Sequence, residues 1–467
     1  MSTATSPEPA AGWDGALAEL SAALPDGALL TDPAALQSYR HDWSRDPSAG
    51  TPVAAARVTD AAQVQTVVRW AATHQVPIVP RGAGTGLSGG SSAVDCGIVL
   101  SLERMTAVEI DVATRTAIVE PGAFNVSVKQ AAADHGLWYP PDPSSYEICS
   151  IGGNLATNAG GLCCVKYGVT TDYVLGMDVV LADGTLITLG GQRIKDVAGL
   201  SLTKLFVGSE GTLGIFTRAV LRLVPMPDPV AGMVATFDDV TAAARAVVAI
   251  GATLRPSMLE YMDQLSIRAV ERLRPMGLDT ECGAMLIAQS DAPGDARRLE
   301  AEEMARLCRD TPGVRDVFVT DDPAEAEMFT AARRSAFHAL EPLGSIMFED
   351  VGVPIPKLPD LVDGIAGIAA KYDVLIPVVA HAGDGNTHPN VIHDAADPDS
   401  VARARAAFDE VMRLAVDLGG TITGEHGVGR SKKGLLGDQL GDDVLALTRR
   451  IKETLDPQGI LNPGAIL

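Results

Sequence analysis

Arg81-Gly82-Ala83-Gly84-Thr85-Gly86-Leu87-Ser88-Gly89-Gly90 is the stretch on which the fold turns. A short apolar run at 76–80 precedes it and reads as a buried strand; a second strand-like run follows at 97–102. Glycines let backbone N–H groups close on an anion and adopt positive φ, so such a loop can cradle a pyrophosphate. It lacks the GK[ST] ending of a Walker A loop, and the strand after it argues against a Rossmann turn, which opens a helix. Taken alone it also reads as a Gly-rich surface loop.

Two further blocks of the same character decide between those readings. Cys149-Ser150-Ile151-Gly152-Gly153-Asn154 runs into Thr157-Asn158-Ala159-Gly160-Gly161, and Gly208-Ser209-Glu210-Gly211-Thr212-Leu213-Gly214-Ile215 follows later. Glycine weakens regular elements, so packing alone rarely asks for this much of it. The small hydroxyl and amide residues beside it supply donors and acceptors along a long flat ligand.

Outward from these blocks, apolar spacing predicts helices over 14–23, 61–73, 125–135, 240–251, 295–310 and 401–418. Strands are expected over 107–111, 116–120, 284–288 and 314–319, and a hairpin over 174–189 turns at Ala182-Asp183-Gly184. Pro225-Met226-Pro227-Asp228-Pro229 marks a boundary, because prolines continue neither a helix nor a central strand. The expected organisation is α+β: a disordered 1–12, a ligand-binding domain over 13–227, a cap over 228–420, and a C-terminal segment over 421–467 that completes the site.

Composition excludes some function classes. Lys plus Arg number 37 against 59 Asp plus Glu, a net charge of −22, which speaks against nucleic-acid binding. Six cysteines without a CxxC pair read as packed thiols, the adjacent Cys163 and Cys164 included. No signal peptide and no membrane-spanning run is read, so the expected address is the cytoplasm, with the inner face of the membrane reached through a partner.

The chemistry concentrates in Val378-Val379-Ala380-His381-Ala382-Gly383-Asp384-Gly385-Asn386-Thr387-His388-Pro389-Asn390-Val391. Apolar runs flank a tight turn, so His381 and His388 face one another across a hairpin and can share a divalent metal. Thr423-Gly424-Glu425-His426-Gly427 adds a carboxylate beside a titratable base, or, on its own, a turn after the long helix.

Pro80–Gly90, Pro140-Pro141-Asp142-Pro143, Ser150–Gly161, Lys166-Tyr167-Gly168 and Gly208–Ile215 resemble the FAD domain of the vanillyl-alcohol-oxidase superfamily. With HxGDGNxH and GEHG, the chain resembles the branch of glycolate oxidase catalytic subunits, D-lactate dehydrogenases and D-2-hydroxyglutarate dehydrogenases. The resemblance implies a two-subdomain FAD-binding domain, a ferredoxin-like α+β cap and a C-terminal return to the FAD domain. It implies FAD contacts from Arg81, Gly82, Ala83, Gly84, Thr85 and Gly86, then from Asp142, Ser145, Ser150, Ile151, Gly152 and Gly153. Thr157, Asn158, Ala159, Gly160, Glu210, Gly211 and Ile215 complete the set, with Asn462 at the isoalloxazine. Residues 81–90 hold no histidine or cysteine, which favours non-covalent FAD.

By the same resemblance His381, His388 and Glu425 are metal ligands, His426 the base, Arg333 the clasp on the substrate carboxylate, and Asn390 a further substrate contact. Zinc is the first choice of metal, with manganese or iron suiting the donors about equally. Arg333 also reads as a solvated helix residue beside Arg334. Phe337 and Phe348 stand where dicarboxylate-using relatives place a hydroxyl residue and a lysine, which favours glycolate, D-lactate or an apolar D-2-hydroxy acid. The alternatives are a D-2-hydroxyglutarate dehydrogenase, a non-redox enzyme like alkylglycerone-phosphate synthase, or a non-catalytic flavin subunit. An iron–sulfur subunit, a soluble carrier, or a quinone reached through a partner is the expected electron acceptor; a homodimer is allowed.

Overall fold

The computed structural model describes residues 13–467, so the expected disorder over 1–12 lies outside the described residues. A four-stranded sheet runs in the order Leu29–Leu30, Ala54–Arg57, Ile98–Ser101, Ile78–Arg81. Its last two pairings are parallel, with helix Ala61–His74 as the crossover. That helix forms because Asp60 caps it, accepting from Gln63 N at 2.9 Å, and because Val64, Val67, Val68 and Ala71 fall on one buried face. Gln75 ends it in the left-handed region at φ 55°.

A second sheet, of five strands, is antiparallel throughout, with Ile215–Arg222 central between Thr116–Val119 and Val174–Val180. The hairpin at Asp183-Gly184 is present, joining Val174–Val180 to Leu186–Gly190. After the proline run, Ala231–Phe237, helix Val240–Gly251, Met258–Asp263, Ala284–Ser290, helix Ala296–Arg309 and Val314–Thr320 make the βαββαβ unit of a ferredoxin-like fold. This sheet continues through Val378–His381 and Asn386–His393 to Ser345–Phe348. The expected α+β architecture is the observed one.

The C-terminal chain returns to the first sheet. Ile78 N donates to Ile460 O and Asn462 N to Ile78 O, both at 2.7 Å, so residues 460–462 lie along the edge strand that feeds the first Gly-rich loop. One local difference concerns the second block. It holds a helix, Ile151–Thr157, for which apolar spacing gives no prediction. Ser150 caps it, accepting from Gly153 N at 3.3 Å. Gly152 is required there by close packing, since a Cβ would lie 2.7 Å from Pro121 Cβ. No helix among the described residues is long and apolar enough to cross a membrane.

Candidate active site

The three Gly-rich blocks converge. They line one cavity of about 390 Å³, together with Arg333, His388, Asn390, Glu425 and His426 from the cap and C-terminal segment. Of the expected FAD contacts, Arg81, Gly82, Ala83, Gly84, Thr85 and Gly86 reach the cavity, as do Ser145, Ser150, Gly152, Gly153, Thr157, Ala159, Glu210, Gly211 and Ile215.

Five expected contacts stand behind that wall. Ile151 is buried in the apolar core. Asn158 ends the short helix at φ 54° and accepts from Thr171 N at 2.9 Å. Asp142 pairs with Arg334 at 2.9 Å and accepts from Cys163 N at 3.1 Å. Gly160 leaves room for Glu425, whose Oε2 would be 2.6 Å from a Cβ. Asn462 donates to Gly90 O at 2.8 Å and Glu210 O at 2.7 Å, which fixes two lining segments from below. Glu210 lines the cavity, but its carboxylate accepts from Val428 N at 2.7 Å and Gly429 N at 2.8 Å, tying the third block to the C-terminal loop.

The hairpin register decides how the histidines meet. Val379 pairs with His388 and His381 with Asn386, so the two histidines lie diagonally on one face, with ring centroids 5.0 Å apart. His381 Nε2 lies 3.1 Å and His388 Nε2 3.4 Å from Glu425 Oε1. Behind each ring stands a buried carboxylate: Glu260 is 2.8 Å from His381 Nδ1, and Asp350 is 3.6 Å from His388 Nδ1. Glu260 hydrogen-bonds His381 Nδ1 and so turns that ring's Nε2 inward, whereas His388 Nδ1 stands beyond hydrogen-bond reach of Asp350.

Asp350 also accepts from Gly424 N at 2.9 Å, Glu425 N at 3.0 Å and His426 N at 2.8 Å, all on Oδ2. One carboxylate thereby shapes the whole turn that presents Glu425 and His426. Lys432, fully buried, stands 3.4 Å from Glu349 and 3.8 Å from Asp350.

Electrostatics follow from this burial. Burial opposes the charged form of His381, but Glu260 and Glu425 outweigh it and raise its pKa well above the ordinary imidazole value. Burial likewise works against ionised Glu425, and His381 and His388 reverse it, holding the carboxyl well below its usual range. Three buried carboxylates, Glu260, Asp350 and Glu425, face these two rings, and Glu425 Oε2 is buried without a hydrogen-bond partner. Both facts fit a divalent cation on two imidazoles and a carboxylate. Burial pushes His426 down to about 4, so its ring is neutral at ordinary pH.

Arg333 is buried on helix Pro323–Arg334, its Nε in an ion pair 2.9 Å from Glu260 Oε2, with Nε and Nη2 both without a hydrogen-bond partner. It is not a solvated helix residue. Phe337 and Phe348 stack 4.8 Å apart, Trp43 stacks on Phe337 at 5.9 Å, and all three line the cavity. Sequence reasoning missed Glu260, Asp350, Arg334 and Trp43. Glu260 had a signal: it is the charged residue inside the apolar run Met258-Leu259-Glu260-Tyr261-Met262. Burial raises the thiols of Cys163 and Cys164 well above their usual pKa, as expected of packed cysteines.

Residues 52–190 match the model of the FAD binding domain, and residues 226–466 that of the C-terminal domain of FAD linked oxidases. The chain is 42% identical over 415 residues to glycolate oxidase subunit GlcD of Bacillus subtilis (strain 168), covering 88% of each chain. It is 33% identical over 436 residues to D-lactate dehydrogenase of Archaeoglobus fulgidus, covering 92% of this chain and 95% of that one. Among solved structures, p-cresol methylhydroxylase shares the fold at a TM-score of 0.82 and 19% identity, over 97% of this chain and 96% of that one. Alkyldihydroxyacetonephosphate synthase does so at a TM-score of 0.75 and 20% identity, over 98% and 87%. With both domains matched, the chain belongs to the family of FAD-linked oxidases.

Proposed function

We propose that this flavoenzyme oxidises a small 2-hydroxy acid bearing a single carboxylate to the 2-oxo acid, with a divalent metal in the His381–His388–Glu425 site and FAD held non-covalently. The observation that carries the reading is the meeting of both imidazole Nε2 atoms at Glu425 Oε1, on the wall of the cavity that the three Gly-rich blocks line. Relatives named glycolate oxidase subunit and D-lactate dehydrogenase support the substrate class.

The residues divide the work. Arg333 binds the substrate carboxylate through its unpartnered Nη2, a charge-assisted contact inside a largely apolar cavity. Asn390 lines the same cavity and orients the bound acid; its Nδ2 donates to His388 O at 2.9 Å, which holds the amide in place. Trp43, Phe337 and Phe348 form an apolar wall that excludes water and disfavours a second carboxylate packed against it. His426, neutral at working pH, takes the hydroxyl proton at a ring nitrogen. FAD supplies the acceptor for the hydride leaving the substrate Cα. A metal in the histidine site supplies Lewis acidity toward the hydroxyl, with zinc first and manganese or iron next. The electrons then pass to a partner: an iron–sulfur subunit, a soluble carrier, or a quinone reached through another subunit.

The test is an anaerobic panel of glycolate, D-lactate, longer apolar D-2-hydroxy acids and D-2-hydroxyglutarate, following flavin absorbance with and without chelator. Bleaching by monocarboxylates, release of a 2-oxo acid and loss of both with chelator are expected. A flavin that no 2-hydroxy acid reduces would refute the reading.

A further inference from the structure

We propose that Glu260 is a positioning residue shared by the two halves of the site: one buried carboxylate orients the metal ligand His381 and, at the same time, the carboxylate clasp Arg333. The inference rests on the metal and substrate reading above and deepens it.

Strand register creates the arrangement. Met258–Asp263 pairs antiparallel with Val378–His381, with Tyr261 opposite Ala380 and Met262 opposite Val379. The same register carries Glu260 to His381. Its oxygens lie 2.8 and 3.0 Å from His381 Nδ1, and Oε2 lies 2.9 Å from Arg333 Nε. Glu260 is fully buried, so water cannot replace either contact. The anion answers two buried cationic partners rather than the packing of its own strand, whose residues beside it are Met258, Leu259, Tyr261 and Met262.

Two consequences follow from the geometry. The Nδ1 contact fixes His381 as the tautomer whose Nε2 faces Glu425, and Nε2 is the atom a metal needs. The ion pair with Glu260 anchors the buried guanidinium, and Nε and Nη2 both lack a hydrogen-bond partner, so the group keeps donors for a ligand in the cavity. Removing the charge therefore loosens both ends of the substrate's seat: the end that holds its hydroxyl and the end that holds its carboxylate.

The test compares wild type, Glu260→Gln and Glu260→Asp as FAD-loaded protein. Zinc affinity is read by competition with a chromophoric chelator, and the affinity for propionate, a carboxylate with no hydroxyl to oxidise, by perturbation of the flavin spectrum. Glu260→Gln is expected to weaken zinc by roughly 10- to 100-fold, the range for removal of an outer carboxylate behind a metal-bound histidine. Propionate binding weakens in the same variant, and KM for the 2-hydroxy acid rises. Glu260→Asp, which keeps the charge on a shorter stem, shifts both constants less and in the same direction, and it decides the question should the glutamine variant fail to fold. A merely structural role would lower the melting temperature and leave both constants unchanged, and that result overturns the proposal. A wild-type protein that takes up no zinc, manganese or iron refutes the metal part of the functional reading and, with it, the His381 half of this proposal; unaltered propionate binding in both variants refutes the Arg333 half.

Discussion

Replacing His426 with alanine tests the proposed chemistry most directly. The imidazole is mostly buried, at 17% exposure, and burial pushes its pKa down to about 4. At pH 7 the ring is therefore neutral and carries a lone pair that can accept a proton. General-base assistance of this kind contributes roughly 10²- to 10⁴-fold, or about 2.7 to 5.4 kcal/mol of barrier. The variant should keep its fold, because His426 Nδ1 has no hydrogen-bond partner to lose, and the backbone N–H that Asp350 accepts is unchanged by the substitution. It should also keep FAD, since the bonds that tie the Gly-rich blocks to this loop, from Ser88 Oγ to Gly427 O and from Val428 N and Gly429 N to Glu210, use backbone atoms of the loop that the substitution leaves in place. The assay is anaerobic stopped-flow reduction by saturating substrate. The wild-type rate should be level at neutral pH and fall as pH drops through about 4, where the base becomes protonated; the alanine variant should be slow throughout. A variant reducing its flavin within about threefold of wild type would end the assignment, because so small a loss lies far below base catalysis.

Phe348→Lys places an ammonium where Phe337 now stacks, so kcat/KM for D-2-hydroxyglutarate relative to D-lactate should rise roughly 10- to 100-fold, the worth of a charged hydrogen bond of about 1.5–3 kcal/mol; an unchanged ratio would remove this wall from substrate choice. Gly160→Ala puts a Cβ 2.6 Å from Glu425 Oε2, so metal content measured by emission spectrometry should fall while FAD content holds; full metal occupancy would place the cation elsewhere. Glu210→Gln tests a linkage. Burial raises the Glu210 pKa from 4.5 to about 7, so its favourable contribution is present below about 4.5 and is lost as pH rises through about 7. The difference in melting temperature, glutamine variant minus wild type, should therefore increase from pH 4.5 to 7 and level off above; a flat difference would contradict the shift.

Much of the fold was legible in the sequence because its signals are local. The cap at Asp60, the spacing of Val64, Val67, Val68 and Ala71, and the turn at Asp183-Gly184 are set by residues within a few positions of one another. The helix over Ile151–Thr157 was not legible, since Gly152 is demanded by Pro121, distant in sequence and close in space. Candidate ligands His381 and His388 could be found from the hairpin, but their diagonal placement depends on a register that pairs His388 with Val379.

What the chain alone determined was an inventory: three Gly-rich blocks, a histidine hairpin, an acid beside a histidine, and an apolar pair after two arginines. Tertiary structure decided which of these meet and what stands behind them. Glu260 and Asp350 lie 121 and 38 residues from the histidines they face, and each is buried, so only the packed sheet can bring them there. Periodicity reports which face of an element is apolar; it carries no record of a partner across a sheet. A buried carboxylate is tolerated only where other parts of the chain supply its cations and N–H groups, and for that reason the groups that orient this site emerge last.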